Sequence, residues 1–407
     1  MLSSVHSDRS GRIVLAADYG AAMFDGAAPR AFGSHVALPD GASLIPLADR
    51  GALGLDRTGA PRPLGAGRFA VGAVLPPGYV RLAHPASVVA AGVPDLAPRA
   101  YAAVAADERG ALQVAARRID DASTFDHRAD AGIAARITEG LRARPSNRLV
   151  RQLARCAKDF HCRAATNAFG AWADCAVPVA APANEHPPAL VSFHGDAMPT
   201  ERAAFHATAD EVVDLAAAHL EGGGTQVSFG RACEGEPLLV PRVVEPAIAG
   251  IRERTHRGTI HLESNGSVPA AVGRLARAGL DTIGFRIASA RPETYERIHR
   301  PAGYRLTDVR ASIAEAIAAA LAVAVIVLVL PGLTDREREL DEILSLAGDL
   351  PAGSQLVLRD LGADAERALA LVPSAETPLG MERFLERIAS DAAHLRMGTL
   401  VRPLARV

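Results

Sequence analysis

The residues best suited to soft-metal or redox chemistry in this 407-residue chain are its four cysteines, Cys156, Cys162, Cys175 and Cys233. Three of them follow the spacing C-x5-C-x12-C, with His161 beside the second. Thiolates held at fixed points bind zinc or iron–sulfur clusters. This spacing matches no compact ligand loop, and the step from Cys156 to Cys162 does not return to one face of a helix. Structural or auxiliary roles are expected, with an unconventional metal site on Cys156, Cys162 and Cys175 as the alternative. Cys233 reads as a small buried hydrophobe. The run Gly230-Arg231-Ala232-Cys233-Glu234-Gly235-Glu236-Pro237 is the second candidate, because a Gly-Glu-Pro turn after a buried strand presents a carboxylate beside open backbone. Glu236 is expected to cap that turn or pair with an arginine. Asn265 stands in a similar turn. His186 and His194 read as loop histidines, since no Ser–His–Asp or His-Glu-x-x-His arrangement places them. No phosphate-binding glycine loop follows a strand.

The elements that must position these residues alternate from about residue 176 onward. Strands are expected at 176–181, 225–230, 259–263, 282–288, 323–330 and 355–358, with helices between them. Thr208 and Glu211 form a capping box that opens one helix, and Gly279 stops another. Such alternation requires a parallel sheet with right-handed crossovers. The expected fold is α/β, a partial (β/α)6 TIM-like barrel over residues 176–407 with a closing helix. Residues 1–130 read as a small β-rich domain with a hairpin at Asp107-Glu108-Arg109-Gly110, and 131–175 as a helical bridge. In either parallel architecture, ligands sit at the carboxyl ends of the strands.

Composition narrows the functions. Lys158 is the only lysine among 44 basic residues, and formal net charge is −2. No strong field draws nucleic acid or anionic membranes, so neither is expected as a partner. Four cysteines in 407 residues exclude a disulfide scaffold. Residues 316–330 carry no charged side chain, but a spanning helix needs about 20 residues, so a buried helix–strand pair is expected. Arg9 and Arg12 interrupt any early apolar run, which argues against a signal peptide and makes a cytoplasmic location the expectation.

Several motifs occur in an order that resembles the radical S-adenosylmethionine (radical SAM) superfamily, in one uncharacterised bacterial branch. They are the Ser228-to-Leu239 run with its Gly-Glu-Pro turn, Ser264-Asn265-Gly266-Ser267 and Ala278-Gly279-Leu280-Asp281. Pro331-Gly332-Leu333-Thr334-Asp335, Leu75-Pro76-Pro77-Gly78-Tyr79 and Cys156…His161-Cys162-Arg163 continue the series. The resemblance covers nearly the whole chain. It implies a partial (β/α)6 barrel, and a turn at Gly235 and Glu236 that holds the amino group of S-adenosylmethionine, with Asn265 nearby.

The resemblance also implies three cysteines, spaced C-x3-C-x2-C, after the first barrel strand. They would bind a [4Fe–4S] cluster whose electron cleaves S-adenosylmethionine. Here those positions fall on Ala183, Pro187 and Leu190. No cysteine lies between Cys175 and Cys233. Arg286 and Ala288 stand where the branch carries Ser and Asn, and Arg359-Asp360-Leu361-Gly362 replaces an Arg-Asn-Leu-Asn-like turn. The expectation is a degenerate member without a cluster, and no cofactor is expected. S-adenosylmethionine binding at a vestigial site of Gly235, Glu236 and Asn265 stays open. Such a protein would bind, regulate or assist a protein partner, for example an active paralogue. The alternative is an active enzyme with unconventional ligands such as Cys156, Cys162 and Cys175.

Overall fold

A computed structural model describes residues 2–121, 132–170, 173–186, 203–231 and 233–404. The N-terminal part is β-rich. Its strands form an antiparallel network around two long members, Ile13–Phe24 and Ser43–Leu55, both bent by shifts in register. Strands Ala102–Ala106 and Leu112–Val114 pair antiparallel across the expected hairpin. Val5, Ala73, Val104 and Val114 form its core.

Three helices follow, Ile133–Ala143, Arg148–Asp159 and Arg163–Gly170. Asn147 caps the second by accepting from the Leu149 and Val150 N–H groups. The same side chain donates to Asp214, and Arg148 pairs with Glu211, so the cap also docks these helices on Ala209–Glu221.

The remainder is a parallel sheet of Asp174–Ala176, Gln226–Phe229, Thr259–Ser264, Thr282–Ile287, Ala322–Val329, Gln355–Asp360 and Arg396–Gly398. Every neighbouring pair is parallel, and spatial order equals sequence order. A doubly wound sheet would reverse its order once, whereas sequential order with crossovers of one hand keeps the helices on one side and curls the sheet. The fold is therefore a partial α/β barrel. All residues of the third and fourth strands are buried, as a parallel sheet covered on both faces requires. Helix Leu306–Ala318 and strand Ala322–Val329 form the buried pair expected at 316–330. No helix among the described residues is long and apolar enough to cross a membrane.

Two expectations need correction. The barrel has a seventh strand, Arg396–Gly398, where six were expected. It is three residues long, too short to show a period. The first strand ends at Ala176 rather than running over 176–181. Val177 still donates to the Ser228 carbonyl, but the Val179 and Ala180 N–H groups go to the Glu234 carboxylate instead of a neighbouring strand.

The β-rich part sits over the carboxyl ends of the fifth and sixth strands. His84 Nε2 lies 3.0 Å from the Pro331 carbonyl, and buried Arg81 donates to the Leu361 carbonyl at 2.6 Å. Arg50 pairs with Asp364 at 2.5 Å. Gly26 and Gly332, both with positive φ, bring the two backbones into contact, and a Cβ on either would overlap the other.

Candidate functional site

The carboxyl ends of the first four barrel strands converge on a compact set of ionisable side chains. Glu236 lies on the turn after Gln226–Phe229 and is 1% exposed. Its Oε1 accepts from Leu238 N–H at 3.0 Å and from the Ser264 hydroxyl at 2.7 Å. Its Oε2 accepts from Asn265 N–H at 2.9 Å and stands 3.7 Å from Arg286 Nη2. Burial raises the Glu236 carboxyl pKa, and the Arg286 cation and these donors oppose the rise. Glu236 thus both caps the short helix Pro237–Leu239 and faces an arginine.

Arg286 reaches inward from the fourth strand and is 5% exposed. Its Nη1 donates to the Gly230 carbonyl at 2.8 Å, and its Nη2 lies 3.8 Å from Glu185. Glu185 accepts from His299 Nδ1 at 3.0 Å. The Ala288 N–H donates to His299 Nε2 at 3.0 Å, so that nitrogen is the acceptor and Nδ1 carries the proton. Tyr295 stacks on the His299 ring at 4.2 Å.

These contacts fasten residues 182–186 across the mouth. The Asn265 amide donates to Asn184 Oδ1 at 2.8 Å, and the His186 and Ala302 N–H groups donate to the His299 and Asn184 carbonyls. On the other flank, Gly235 and Glu236 N–H donate to the Ala180 and Pro182 carbonyls. Gly235 is required at this approach, because a Cβ would overlap the Pro182 carbonyl oxygen.

Deeper in the barrel, Glu263 receives a two-point contact from Arg359, 2.8 Å at each oxygen, and lies 3.2 Å from Arg231. Burial alone would raise the Glu263 pKa, but Arg359 and Arg231 outweigh it and hold the carboxyl well below the usual range. Arg231 also pairs with Asp174. Glu234 accepts from three backbone N–H groups, those of Val179, Ala180 and Gly230. Burial nevertheless pushes its carboxyl up to about 7.

The candidate residues therefore divide. Gly235, Glu236 and Asn265 lie together at the mouth, where Asn265 N–H donates to Glu236. Ala183 lies in the segment crossing it and offers only a methyl group, while Pro187, Leu190 and His194 lie outside the described residues. Cys175 is fully buried in the first strand, and burial raises its thiol pKa. Cys156 and Cys162 line a cavity that Arg231 also borders, and the third cysteine beside them is Cys233, not Cys175. Among the described residues, no three His, Cys, Asp or Glu side chains are gathered to hold a metal ion.

Arg231 lies in the candidate run at 230–237, whereas Glu185, His299 and Glu263 belong to the network although no local motif marks them. Glu263 could have been found from its place on a parallel strand and Glu185 from the stretch after the first strand, while His299, at the end of helix Pro292–His299, had no such signal.

Residues 175–344 match the family model of the Radical SAM superfamily. No curated protein matches the chain. Solved structures with similar folds include a radical SAM methyltransferase from Sphaerobacter thermophilus, at 16% identity and TM-score 0.36, covering 56% of this chain and 64% of that one. Methylornithine synthase aligns at 10% identity and TM-score 0.40, covering 68% and 73%. The FeFe-hydrogenase maturase HydG from Carboxydothermus hydrogenoformans aligns at 14% identity and TM-score 0.40, covering 67% and 59%. The chain thus spans less than two thirds of the length of two of these three.

The positions that the resemblance assigns to the superfamily's cluster ligands carry no donor atom in this sequence. Methyl, pyrrolidine and isobutyl groups at Ala183, Pro187 and Leu190 have no ligand atom, and no thiol lies between Cys175 and Cys233. The Glu236 carboxylate, which would receive the amino group of S-adenosylmethionine, already faces the Arg286 cation and three donors.

Proposed function

We propose that this protein is a catalytically degenerate radical SAM protein, acting as a binding, partner or regulatory protein. The observation that carries the reading is Arg286 beside Glu236, at 3.7 Å, in a barrel whose cluster stretch has no thiol. A buried carboxylate that already has a cation has little electrostatic reason to take up a second one. The scaffold around it is nevertheless retained. Gly235, Glu236 and Asn265 keep their turns, and the β-rich part stays docked on the barrel through Arg50 and Arg81. A scaffold of this kind can engage a protein partner, of which an active paralogue is the simplest case, without generating a radical. Neither a nucleic acid nor a membrane is part of this reading.

Anaerobic reconstitution of the full chain with iron and sulfide tests it. The expected result is no stoichiometric cluster absorption and no stoichiometric iron. A full [4Fe–4S] spectrum would overturn the proposal. Calorimetry with S-adenosylmethionine then separates its two forms: heat at a stoichiometric site supports a ligand-binding regulator, and no heat leaves the partner role.

A further inference from the structure

Cys156 and Cys162 were expected to point apart, because a continuous helix does not bring positions six apart onto one face. The helix is not continuous. It ends at Asp159, and His161 takes a left-handed conformation with φ 50°. The chain turns back there, and Cys162 N–H donates to the Cys156 carbonyl at 3.1 Å. One backbone hydrogen bond between two residues holds their Cα atoms within reach of the roughly 4.4–6.8 Å that a disulfide spans. Both side chains line one cavity of about 60 Å³, with Gln152, Leu153, Ala165 and Cys233. Gln152 Nε2 lies 3.5 Å from Cys156 Sγ, placed to donate to the sulfur. All four cysteines are thiols in this structure.

We infer that Cys156 and Cys162 are a redox-active dithiol that closes to a disulfide on exposure to a hydroperoxide. This inference does not rest on the proposed loss of radical chemistry. Cys162 is the more exposed of the two and meets the oxidant first, while Cys156 is 6% exposed. The Cys162 thiolate attacks a peroxide oxygen and breaks the O–O bond. Cys162 becomes a sulfenic acid and the other oxygen leaves as water or alcohol. The Cys156 thiolate then attacks the Cys162 sulfur, the S–S bond forms, and the sulfenic oxygen leaves as a second water. In sum, two thiols lose two electrons and two protons, and one peroxide is reduced. The Gln152 amide supports the attacking Cys156 thiolate by donating to it.

Titration of thiols in the denatured full chain before and after hydrogen peroxide, with peptide mapping under non-reducing conditions, tests this. The expected result is a fall from four thiols to two, with Cys156 and Cys162 peptides joined and separated again by reductant. The chain should keep its monomer mass on a denaturing gel without reductant. In Cys156→Ser, a dimedone adduct should accumulate on Cys162, whereas Cys233→Ser should oxidise like the unaltered chain. A link through Cys233 or Cys175, a link between chains, or four surviving thiols would each overturn the inference. The map of the unaltered chain decides even if a variant does not fold.

Discussion

Arg286 Nη2 stands 3.7 Å from the Glu236 carboxylate while its Nη1 holds the Gly230 carbonyl at 2.8 Å. One cation thus joins the fourth strand to the turn after the second. It fills the mouth from within, and Glu185 approaches it at 3.8 Å from the segment that crosses above.

Removing that cation leaves the buried Glu236 carboxylate without its cation and takes one of two partners from the part-buried Glu185. Arg286→Met is expected to destabilise the fold by ~3–5 kcal/mol, the usual penalty for stranding a buried charge. Adding Glu236→Gln should recover part of the loss, giving a positive coupling in a double-mutant cycle followed by urea denaturation. A single-variant loss below ~1 kcal/mol would mean that the pair contributes little.

Stability should fall between about pH 4.5 and 7 through Glu234. Its carboxyl is raised to about 7 by burial, so the native state keeps a proton that the unfolded chain releases. The penalty is absent below the unfolded value, grows as pH rises to about 7, and is constant above; the gap corresponds to ~3 kcal/mol. Glu234→Gln should flatten this part of the profile in urea melts, and an unchanged slope would refute the assignment. Glu263 acts with the opposite sign. Its folded pKa is depressed by Arg359 and Arg231, so its contribution is present above the ordinary carboxylate range and is lost as pH falls through the low folded value.

Gly235→Ala should force residues 180–182 away from the turn, since the added methyl overlaps the Pro182 carbonyl. A loss of about 2–3 kcal/mol is expected, in the range of overpacked core sites. Amide exchange should quicken at Gly235 and Glu236, whose N–H groups hold that segment. Protection equal to the parent at both amides would show that the approach relaxes without consequence.

Arg50→Ala should loosen the β-rich part from the barrel. Asp364 would lose its buried partner and keep the Leu96 N–H donor. The expected signature is a stability loss of roughly 3 kcal/mol, with faster proteolytic cleavage between the two parts. Conservative Arg50→Lys should restore less than half of it, because an ammonium cannot also reach the Ala48 and Pro94 carbonyls that the guanidinium serves.

Much of the frame is legible locally. The Thr208–Glu211 capping box forms as expected, and Gly279 ends its helix in the left-handed region. The hairpin turn at residues 107–110 also pairs its flanking strands. Local period and cap chemistry are decided within a few residues, so they survive into the fold. The Arg396–Gly398 strand is not legible, because it exists only through its pairing with Gln355–Asp360. The end of the first strand is equally hidden, since a carboxylate some 55 positions away captures its N–H groups.

Residue types and spacing set the alternating parallel fold, the turn at Gly235 and Glu236, and the absence of cysteine between Cys175 and Cys233. Those follow from residue types, spacing and short-range backbone preference. Only the tertiary structure decided that Arg286 meets Glu236, that Glu185 leans on His299, and that Cys162 returns to Cys156 beside Cys233. Each of these depends on where the chain reverses and which buried charge can find a partner, and burial couples residues that no local period connects.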